Sequence, residues 1–283
     1  MRLRLVAALV LLFAVVLILA PRLRHHLRAS LGAPSFEELA KAAIPREEFS
    51  RDQLPADRIV LFITGQSNAG NHGQGRRQPV PGLWELHQGR LVAARDPLLG
   101  SDALGASPWI RFGEKVLQAR RAKAVVFILA VRGGTPIAAW TPGSVMYQQS
   151  LAAVLESQRL NIPITHVLWH QGESDCPPFR QTSAASYQAA FQAYAAALRN
   201  NGVSAPIFVA WATRYAEQTT PSIRAAQASL ADERLGVFAG PDLDAISTGR
   251  RYDGVHFTGR GLDDVAGLWL NSLFPNHFPK SIL

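Results

Sequence analysis

The sequence is poor in cysteine, and it lacks the motifs of several common enzyme classes. Cys176 is the single cysteine among 283 residues, so no disulfide can form within the chain. No H-E-x-x-H motif occurs. His166 and His170 are four positions apart on a predicted strand, which separates them by about 13 Å, too far to share a metal. A metal site is therefore not expected.

Phosphate-binding loops are also missing. The glycine-rich stretch 65–75 contains no lysine, whereas the Walker motif requires Gly-Lys-Ser or Gly-Lys-Thr. Gly70, Gly73 and Gly75 have the reverse of the dinucleotide-binding spacing. Nucleotide cofactors are excluded on these grounds, and no other motif calls for a cofactor.

Acidic residues are absent from the first 35 positions, where five arginines occur. These arginines account for five of the eight net positive charges, so the rest of the chain carries only +3. That remainder shows no basic stripe interleaved with aromatic residues. The excess of positive charge therefore does not indicate nucleic-acid binding.

The N-terminal region contains an uninterrupted apolar run of sixteen residues, from Leu5 to Ala20, with arginines on both sides. As a helix it would span about 24 Å, slightly less than the hydrocarbon core of a membrane. No small-x-small cleavage site follows it. We therefore expect residues 1–33 to be an uncleaved membrane anchor that leaves the rest of the chain facing the periplasm or the exterior. A cleaved signal peptide on a secreted protein is the alternative.

Residues 34–57 are predicted to be a linker with a short amphipathic helix, and residues 58–283 a single globular domain. This domain contains continuous apolar runs, which are typical of strands buried on both faces of a parallel sheet. The predicted strands are 58–64, 124–131, 165–170, 206–213 and, more weakly, 235–240. Helical patterns between and after them cover 108–121, 144–160, 183–200, 221–234 and 261–274. This alternation predicts a three-layer α/β/α sandwich around a parallel sheet of about five strands.

Polar residues follow these strands at the edge where such sheets place their working side chains. Ser67 follows the first strand, at the predicted start of a helix whose free N–H groups could stabilise an oxyanion. A serine that only caps this helix is the alternative. Gly133 and Gly134 follow the second strand, where they allow a backbone N–H to approach a ligand closely.

The third strand is followed by Gln171, whose amide could donate to an oxyanion, and by Glu173, which could orient a base or brace the loop. Near the C-terminus, Asp253 and His256 are three residues apart. In a turn this spacing lets the carboxylate bind one imidazole nitrogen while the other nitrogen faces a serine. Together these residues could supply a nucleophile, oxyanion donors and an acid–base pair.

The same segments resemble the SGNH hydrolases, and more narrowly their sialate O-acetylesterase-like branch, which is close to carbohydrate esterase family 6. The matching motifs are G-Q-S-N-A at 65–69, G-G-T-P-I-A-A-W at 133–140, W-H-Q-G-E-S-D at 169–175 and D-G-V-H-F at 253–257. They occur in the family's order and span almost the whole domain. The resemblance implies hydrolysis of acetyl esters on carbohydrates, without a cofactor.

By position, the resemblance implies that Ser67 is the nucleophile, His256 the base and Asp253 the acid that orients it. The oxyanion hole would consist of the Ser67 N–H, Gly133 or Gly134, and Gln171, with Glu173 as a possible supporting acid.

Three alternatives remain at this level. The α/β-hydrolase fold fits poorly, because Ala69 breaks its G-x-S-x-G elbow and its acid comes from a different strand end than its histidine. An acetyltransferase could use the same acyl-serine with a sugar hydroxyl in place of water. A membrane-tethered protein could bind a carbohydrate without turning it over.

Overall fold

The computed structural model describes residues 36–275, which belong to two compact units divided between Pro45 and Arg46. In the first unit, helix α1 covers Phe36–Ala42, within the segment predicted as a linker with a short helix. The predicted membrane anchor or signal peptide, residues 1–33, lies outside the described residues. Within residues 36–275, no helix has the length and apolar character needed to cross a membrane.

The described residues of the second unit form one sheet of eight strands, in the order β1-β4-β3-β5-β2-β6-β7-β8. The strands are β1 (Glu48–Phe49), β2 (Arg58–Gly65), β3 (Leu83–His87), β4 (Arg90–Ala93), β5 (Ala124–Val131), β6 (His166–His170), β7 (Ile207–Trp211) and β8 (Val237–Asp242). Strands β3, β5, β2, β6, β7 and β8 run parallel to one another, whereas β4 is antiparallel to both of its neighbours, β3 and β1.

The five predicted strands are present as β2, β5, β6, β7 and β8, and they lie side by side in the parallel part of the sheet. Their continuous apolar runs arise because both faces are covered. In β2, Val60 and Phe62 belong to one hydrophobic core, whereas Leu61 and Ile63 belong to the other. Alternate side chains therefore serve opposite faces of the sheet.

Three further strands extend the sheet beyond the predicted five. Strands β3 and β4 form a hairpin whose two connecting residues, Gln88 and Gly89, both have positive φ, as the tight turns favoured in hairpins require. The two-residue strand β1 pairs with β4. It lies inside the predicted linker 34–57, so the sheet begins ahead of residue 58. A strand of two residues carries too little hydrophobic pattern to be recognised in the sequence.

Within residues 46–275, five helices cover the two faces of the sheet. They are α2 (Trp109–Gln118), α3 (Val145–Arg159), α4 (Ala184–Asn200), α5 (Pro221–Ser229) and α6 (Gly259–Leu273). Helices α3, α4 and α5 contribute to the hydrophobic core on one face, and α2 and α6 to the core on the other. The three-layer α/β/α sandwich is thus confirmed. Helix α5 ends at Ser229, earlier than the predicted 234, and a separate 3₁₀ turn covers Glu233–Leu235.

The order of the central strands places the predicted site. Strand β2 lies between β5 and β6, and all three are parallel, so their carboxyl ends meet at one edge of the sheet. Ser67 follows the middle strand. The loop with Gly133 and Gly134 follows the neighbour on one side, and the loop with Gln171 and Glu173 follows the neighbour on the other.

Candidate active site

Gly65 determines how the chain leaves β2 ahead of Ser67. Its φ of +138° is a conformation that other residues rarely adopt. A Cβ on this residue would lie 2.1 Å from the carbonyl oxygen of His170, the last residue of β6. The neighbouring N–H of Gln66 donates to the same oxygen at 3.1 Å. Only glycine allows β2 and β6 to stay this close where both strands end.

Ser67 begins a 3₁₀ turn of three residues, Ser67–Ala69, rather than the helix expected after it. The indole N–H of Trp109 holds this turn in place, because it donates to the Ala69 carbonyl at 2.7 Å. Ser67 is only 4% exposed. Within residues 36–275, neither its N–H nor its hydroxyl has a hydrogen-bond partner. No other group of the described residues therefore competes for either of them.

Asp253 and His256 make the contact predicted from their spacing. The Asp253 Oδ2 atom lies 2.6 Å from His256 Nδ1, and Oδ1 accepts the backbone N–H groups of Val255 at 2.9 Å and His256 at 2.7 Å. Burial alone would raise the pKa of the Asp253 carboxyl, but His256 and these N–H groups hold it below its ordinary value. The carboxylate is thus ionised at neutral pH, and Nε2 is the imidazole nitrogen left for chemistry.

Asn68, the neighbour of Ser67, connects the turn Ser67–Ala69 to two other loops. Its Nδ2 donates to Glu173 Oε1 at 2.7 Å and to the Val255 carbonyl at 3.2 Å. Val255 directly precedes His256 in the chain. The side chain of Asn68 therefore fixes the position of the histidine loop relative to the serine turn.

The ring of His256 stacks with two other rings. The centroid of His72 lies 5.2 Å away at an interplanar angle of 21°, and that of Tyr252 lies 5.9 Å away at 27°. The Tyr252 hydroxyl donates to the backbone carbonyl of His72 at 2.9 Å. These contacts limit rotation of the His256 ring and connect its loop to the turn after β2.

The two glycines after β5 differ in what their N–H groups do. The N–H of Gly133 donates to both carboxylate oxygens of Asp102, each at 3.0 Å. An oxyanion would have to displace this carboxylate, which argues against Gly133 as the donor. Gly134 is exposed, has a φ of +70°, and its N–H has no hydrogen-bond partner in the described part of the chain. Of the two glycines, Gly134 has the available N–H.

Gln171 is completely buried, and its amide is already engaged. Its Nε2 donates to Asp175 Oδ2 at 2.6 Å and to the Thr135 carbonyl at 3.0 Å, with Gln66 Oε1 a third acceptor at 3.3 Å. An oxyanion could bind this amide only by replacing one of these acceptors. In this structure Gln171 instead connects the loop after β6 to the glycine loop after β5.

Glu173 also lies inside the protein, 2% exposed, and its carboxylate contacts Asn68 rather than His256. His170 Nε2 lies 3.8 Å from Glu173 Oε1. Burial alone would raise the pKa of the Glu173 carboxyl, but His170 and the Asn68 amide hold it below its ordinary value. This geometry is that of a brace for the turn Ser67–Ala69.

Four residues at the site were given no function by the sequence analysis: Gln66, Asn68, His72 and Asp102. The Gln66 Oε1 atom accepts the N–H groups of Gly172 at 3.2 Å and Ser174 at 3.0 Å, so it holds the loop after β6. Gln66 and Asn68 flank Ser67 within the G-Q-S-N motif, which was the available signal. No local pattern marks His72 or Asp102. Among residues 36–275, no group of three or more His, Cys, Asp or Glu side chains could hold a metal ion.

Comparison with known proteins identifies the family. Residues 58–269 match the model of the SASA family, described as carbohydrate esterase, sialic acid-specific acetylesterase. The match covers most of the chain. The protein belongs to this family. It is a carboxylic ester hydrolase, as the resemblance implied. No curated protein sequence gives a significant match.

Several solved structures share the fold at low sequence identity. A protein from Arabidopsis thaliana is 21% identical with a TM-score of 0.64, and the match covers 79% of this chain and all of that one. NanS is 14% identical with a TM-score of 0.60, over 80% of this chain and 98% of its own. A carbohydrate acetylesterase from Xanthomonas citri is 14% identical with a TM-score of 0.50, over 79% of this chain and 57% of its own. At these identities the likeness establishes the fold.

Proposed function

We propose that this esterase removes O-acetyl groups from a carbohydrate through an acyl-serine intermediate on Ser67. Membership of the SASA carbohydrate esterase family supports the substrate class. One observation supports the chemistry above all others. The Asp253–His256 pair, with its 2.6 Å contact, is tied through Asn68 to the turn that carries Ser67.

In the first half of the reaction, the Ser67 hydroxyl attacks the acetyl carbonyl carbon while His256 Nε2 takes the hydroxyl proton. Asp253 holds Nδ1 and stabilises the imidazolium that forms. The negative charge moves to the carbonyl oxygen, where the N–H groups of Ser67 and Gly134 donate to it. His256 then returns its proton to the sugar oxygen as the carbon–oxygen bond breaks, which leaves acetyl-Ser67.

In the second half, His256 takes a proton from water, and the resulting hydroxide attacks the acetyl carbon. The same oxyanion donors stabilise the second tetrahedral intermediate. His256 then protonates Ser67 Oγ, and the product leaves as acetic acid, which loses its proton to solvent. Gln171, Gln66 and Glu173 act in this scheme by holding the three loops in place, and none of them exchanges a proton with the substrate.

Substitution of Ser67 tests this proposal most directly. We expect Ser67→Ala to reduce turnover of p-nitrophenyl acetate by at least about 10³-fold, because no other group replaces the nucleophile. Its melting temperature should stay close to that of the wild type. Ser183→Ala is the matched control, since its hydroxyl only caps α4 at an exposed position. Acetate release from O-acetylated sialic acid and from acetylated xylan oligosaccharides, measured in parallel, tests the substrate class.

The proposal fails if Ser67→Ala retains turnover beyond a trace in a preparation free of contaminating esterase. It also fails if the wild-type protein releases acetate from p-nitrophenyl acetate but from none of the acetylated sugars. Burst kinetics with p-nitrophenyl acetate report the acyl-serine separately from the later step with water.

We further propose that residues 1–33 hold the esterase at a membrane. The apolar run from Leu5 to Ala20 and its flanking arginines support this. Recovery of full-length protein in the membrane fraction at high salt is the expected result. A soluble protein whose mature N-terminus lies beyond residue 20 would establish the secreted alternative instead.

A further inference from the structure

A second pair of carboxylate and imidazole lies against His256, and the reaction proposed above does not use it. His72 Nε2 lies 3.1 Å from Asp102 Oδ1, and both side chains are mostly buried. The ring of His72 is the one that stacks with His256 at 5.2 Å. The two residues belong to different segments, since His72 follows the Ser67 turn and Asp102 lies between β4 and α2.

Asp102 connects this pair to the glycine loop as well. Its two carboxylate oxygens accept the N–H of Gly133, each at 3.0 Å. A Cβ on Gly133 would lie 2.8 Å from His72 Cε1, so this glycine leaves room for the imidazole. Burial alone would raise the pKa of the Asp102 carboxyl, but His72, the Gly133 N–H and the charge of Arg132 hold it below its ordinary value. Asp102 is therefore ionised at neutral pH.

We propose that Asp102 and His72 are positioning residues that hold the His256 ring and, through their combined charge, determine how readily that ring accepts a proton. The inference rests on the proposed role of His256 as the base. Two of the titratable groups that face this ring, Asp253 and Tyr252, come from its own loop. His72 comes from the turn after β2, with Asp102 behind it and the cation of Arg132 close to Asp102.

Two substitutions that break the same hydrogen bond change this charge in opposite senses. His72→Phe keeps a flat ring beside His256 but leaves Asp102 without its imidazole partner, so the pair carries a charge of −1. Asp102→Asn leaves a charge of 0 or +1, depending on whether His72 is protonated. A nearby negative charge favours the imidazolium and a positive one disfavours it. His256 should therefore hold its proton more strongly in His72→Phe than in Asp102→Asn.

The test compares the pH dependence of kcat/KM for p-nitrophenyl acetate in the full-length wild type and both variants. The acidic limb reports protonation of the free enzyme's base. We expect the midpoint of this limb to be at least about 0.5 pH unit higher in His72→Phe than in Asp102→Asn. The wild-type midpoint should lie between those of the two variants or coincide with one of them. We also expect kcat to fall more than KM changes in both variants. Asp232→Asn, which removes an exposed ion pair with Arg234 before β8, is the matched control and should leave the limb unchanged.

NMR titration of the His256 ring gives a readout that does not need turnover, with its signal assigned by its loss in His256→Gln. The order of the His256 pKa values should be the same as that of the acidic limbs. Equal values in both variants, or the reverse order, would overturn the inference, because a purely structural hydrogen bond predicts the same change from either side. If the wild type hydrolyses no ester, the proposed function fails while the NMR comparison still decides this inference.

Discussion

Two segments at the site each contain a histidine and an acid three residues apart. The two pairs differ in how exposed they are and in how closely their side chains approach. In the loop after β8, Asp253 and His256 are partly exposed, 40% and 22% by side chain, and their atoms approach to 2.6 Å. At the end of β6 and in the loop that follows it, the His170 and Glu173 side chains are 0% and 2% exposed, and their closest nitrogen and oxygen are 3.8 Å apart. Equal spacing in the sequence thus gives one accessible pair and one buried pair.

The difference follows from what else each carboxylate binds. Asp253 accepts N–H groups only from its own turn, from Val255 and His256, so its remaining oxygen is aimed at the imidazole. Glu173 accepts the side chain of Asn68 from another strand end. A carboxylate satisfied within its turn can orient a side chain that faces the substrate. One that reaches across to a neighbouring loop holds two loops together.

Substitution of the accessible carboxylate should have the larger effect on catalysis. In Asp253→Asn, the side-chain amide would donate to His256 Nδ1 and so favour the tautomer with a proton on Nε2, which cannot act as the base. We expect kcat to fall by about 10²- to 10⁴-fold with little change in KM, because the loss falls on the transition state. Steady-state kinetics with p-nitrophenyl acetate measure this, and thermal unfolding should show a small change.

One result would reverse the roles assigned to Asp253 and Glu173. If Asp253→Asn stays nearly as active as the wild type while Glu173→Gln loses kcat with an unchanged melting temperature, then Glu173 orients the base. In that case the loop that contains Glu173 would have to rearrange so that its carboxylate contacts His256.

The two pairs also differ in how much of them could be predicted from the sequence. The contact between Asp253 and His256 was predicted, because both residues lie in one turn and few backbone angles set their geometry. The contact between Asn68 and Glu173 joins residues 105 positions apart. It depends on β2 and β6 being neighbours, which a hydrophobic pattern does not reveal. Strands β2 and β6 were both predicted, but their positions next to each other in the sheet were not.

The same reasoning applies to the candidate oxyanion donors. The sequence indicated two glycines after β5, but it could not show which N–H is occupied, because Asp102 comes from another segment, 31 residues before Gly133. It likewise indicated Gln171 as a donor without revealing that Asp175 and the Thr135 carbonyl already accept from its amide. Local patterns indicated some of the residues at the site, but not His72 or Asp102. Hydrogen-bond partners were decided by tertiary contacts.

Substitution of the buried carboxylate should affect stability more than catalysis. Glu173→Gln removes a charge that accepts from Asn68 and faces His170, so we expect a loss of about 1–3 kcal/mol in the free energy of unfolding. For a domain of this size that lowers Tm by about 3–10 °C. We expect kcat and KM to change by less than about 10-fold, since the effect reaches Ser67 only through Asn68. Differential scanning calorimetry at pH 7, with Asp253→Asn as the matched variant, measures the contrast.

The stability difference between the wild type and Glu173→Gln should also depend on pH in a defined direction. The Glu173 carboxyl has a folded pKa below its ordinary value of 4.5, because His170 and Asn68 outweigh the opposing effect of burial. Such a group stabilises the fold fully above its unfolded pKa, and the contribution is lost as the pH falls through the folded pKa. Glutamine does not titrate. The gap in Tm should therefore be complete at pH 7 and narrow below about pH 4.5. If the difference in Tm instead widens on acidification, the Glu173 carboxyl is protonated in the native protein at neutral pH. It would then hold the loops as a neutral hydrogen-bonding group and not as a charge.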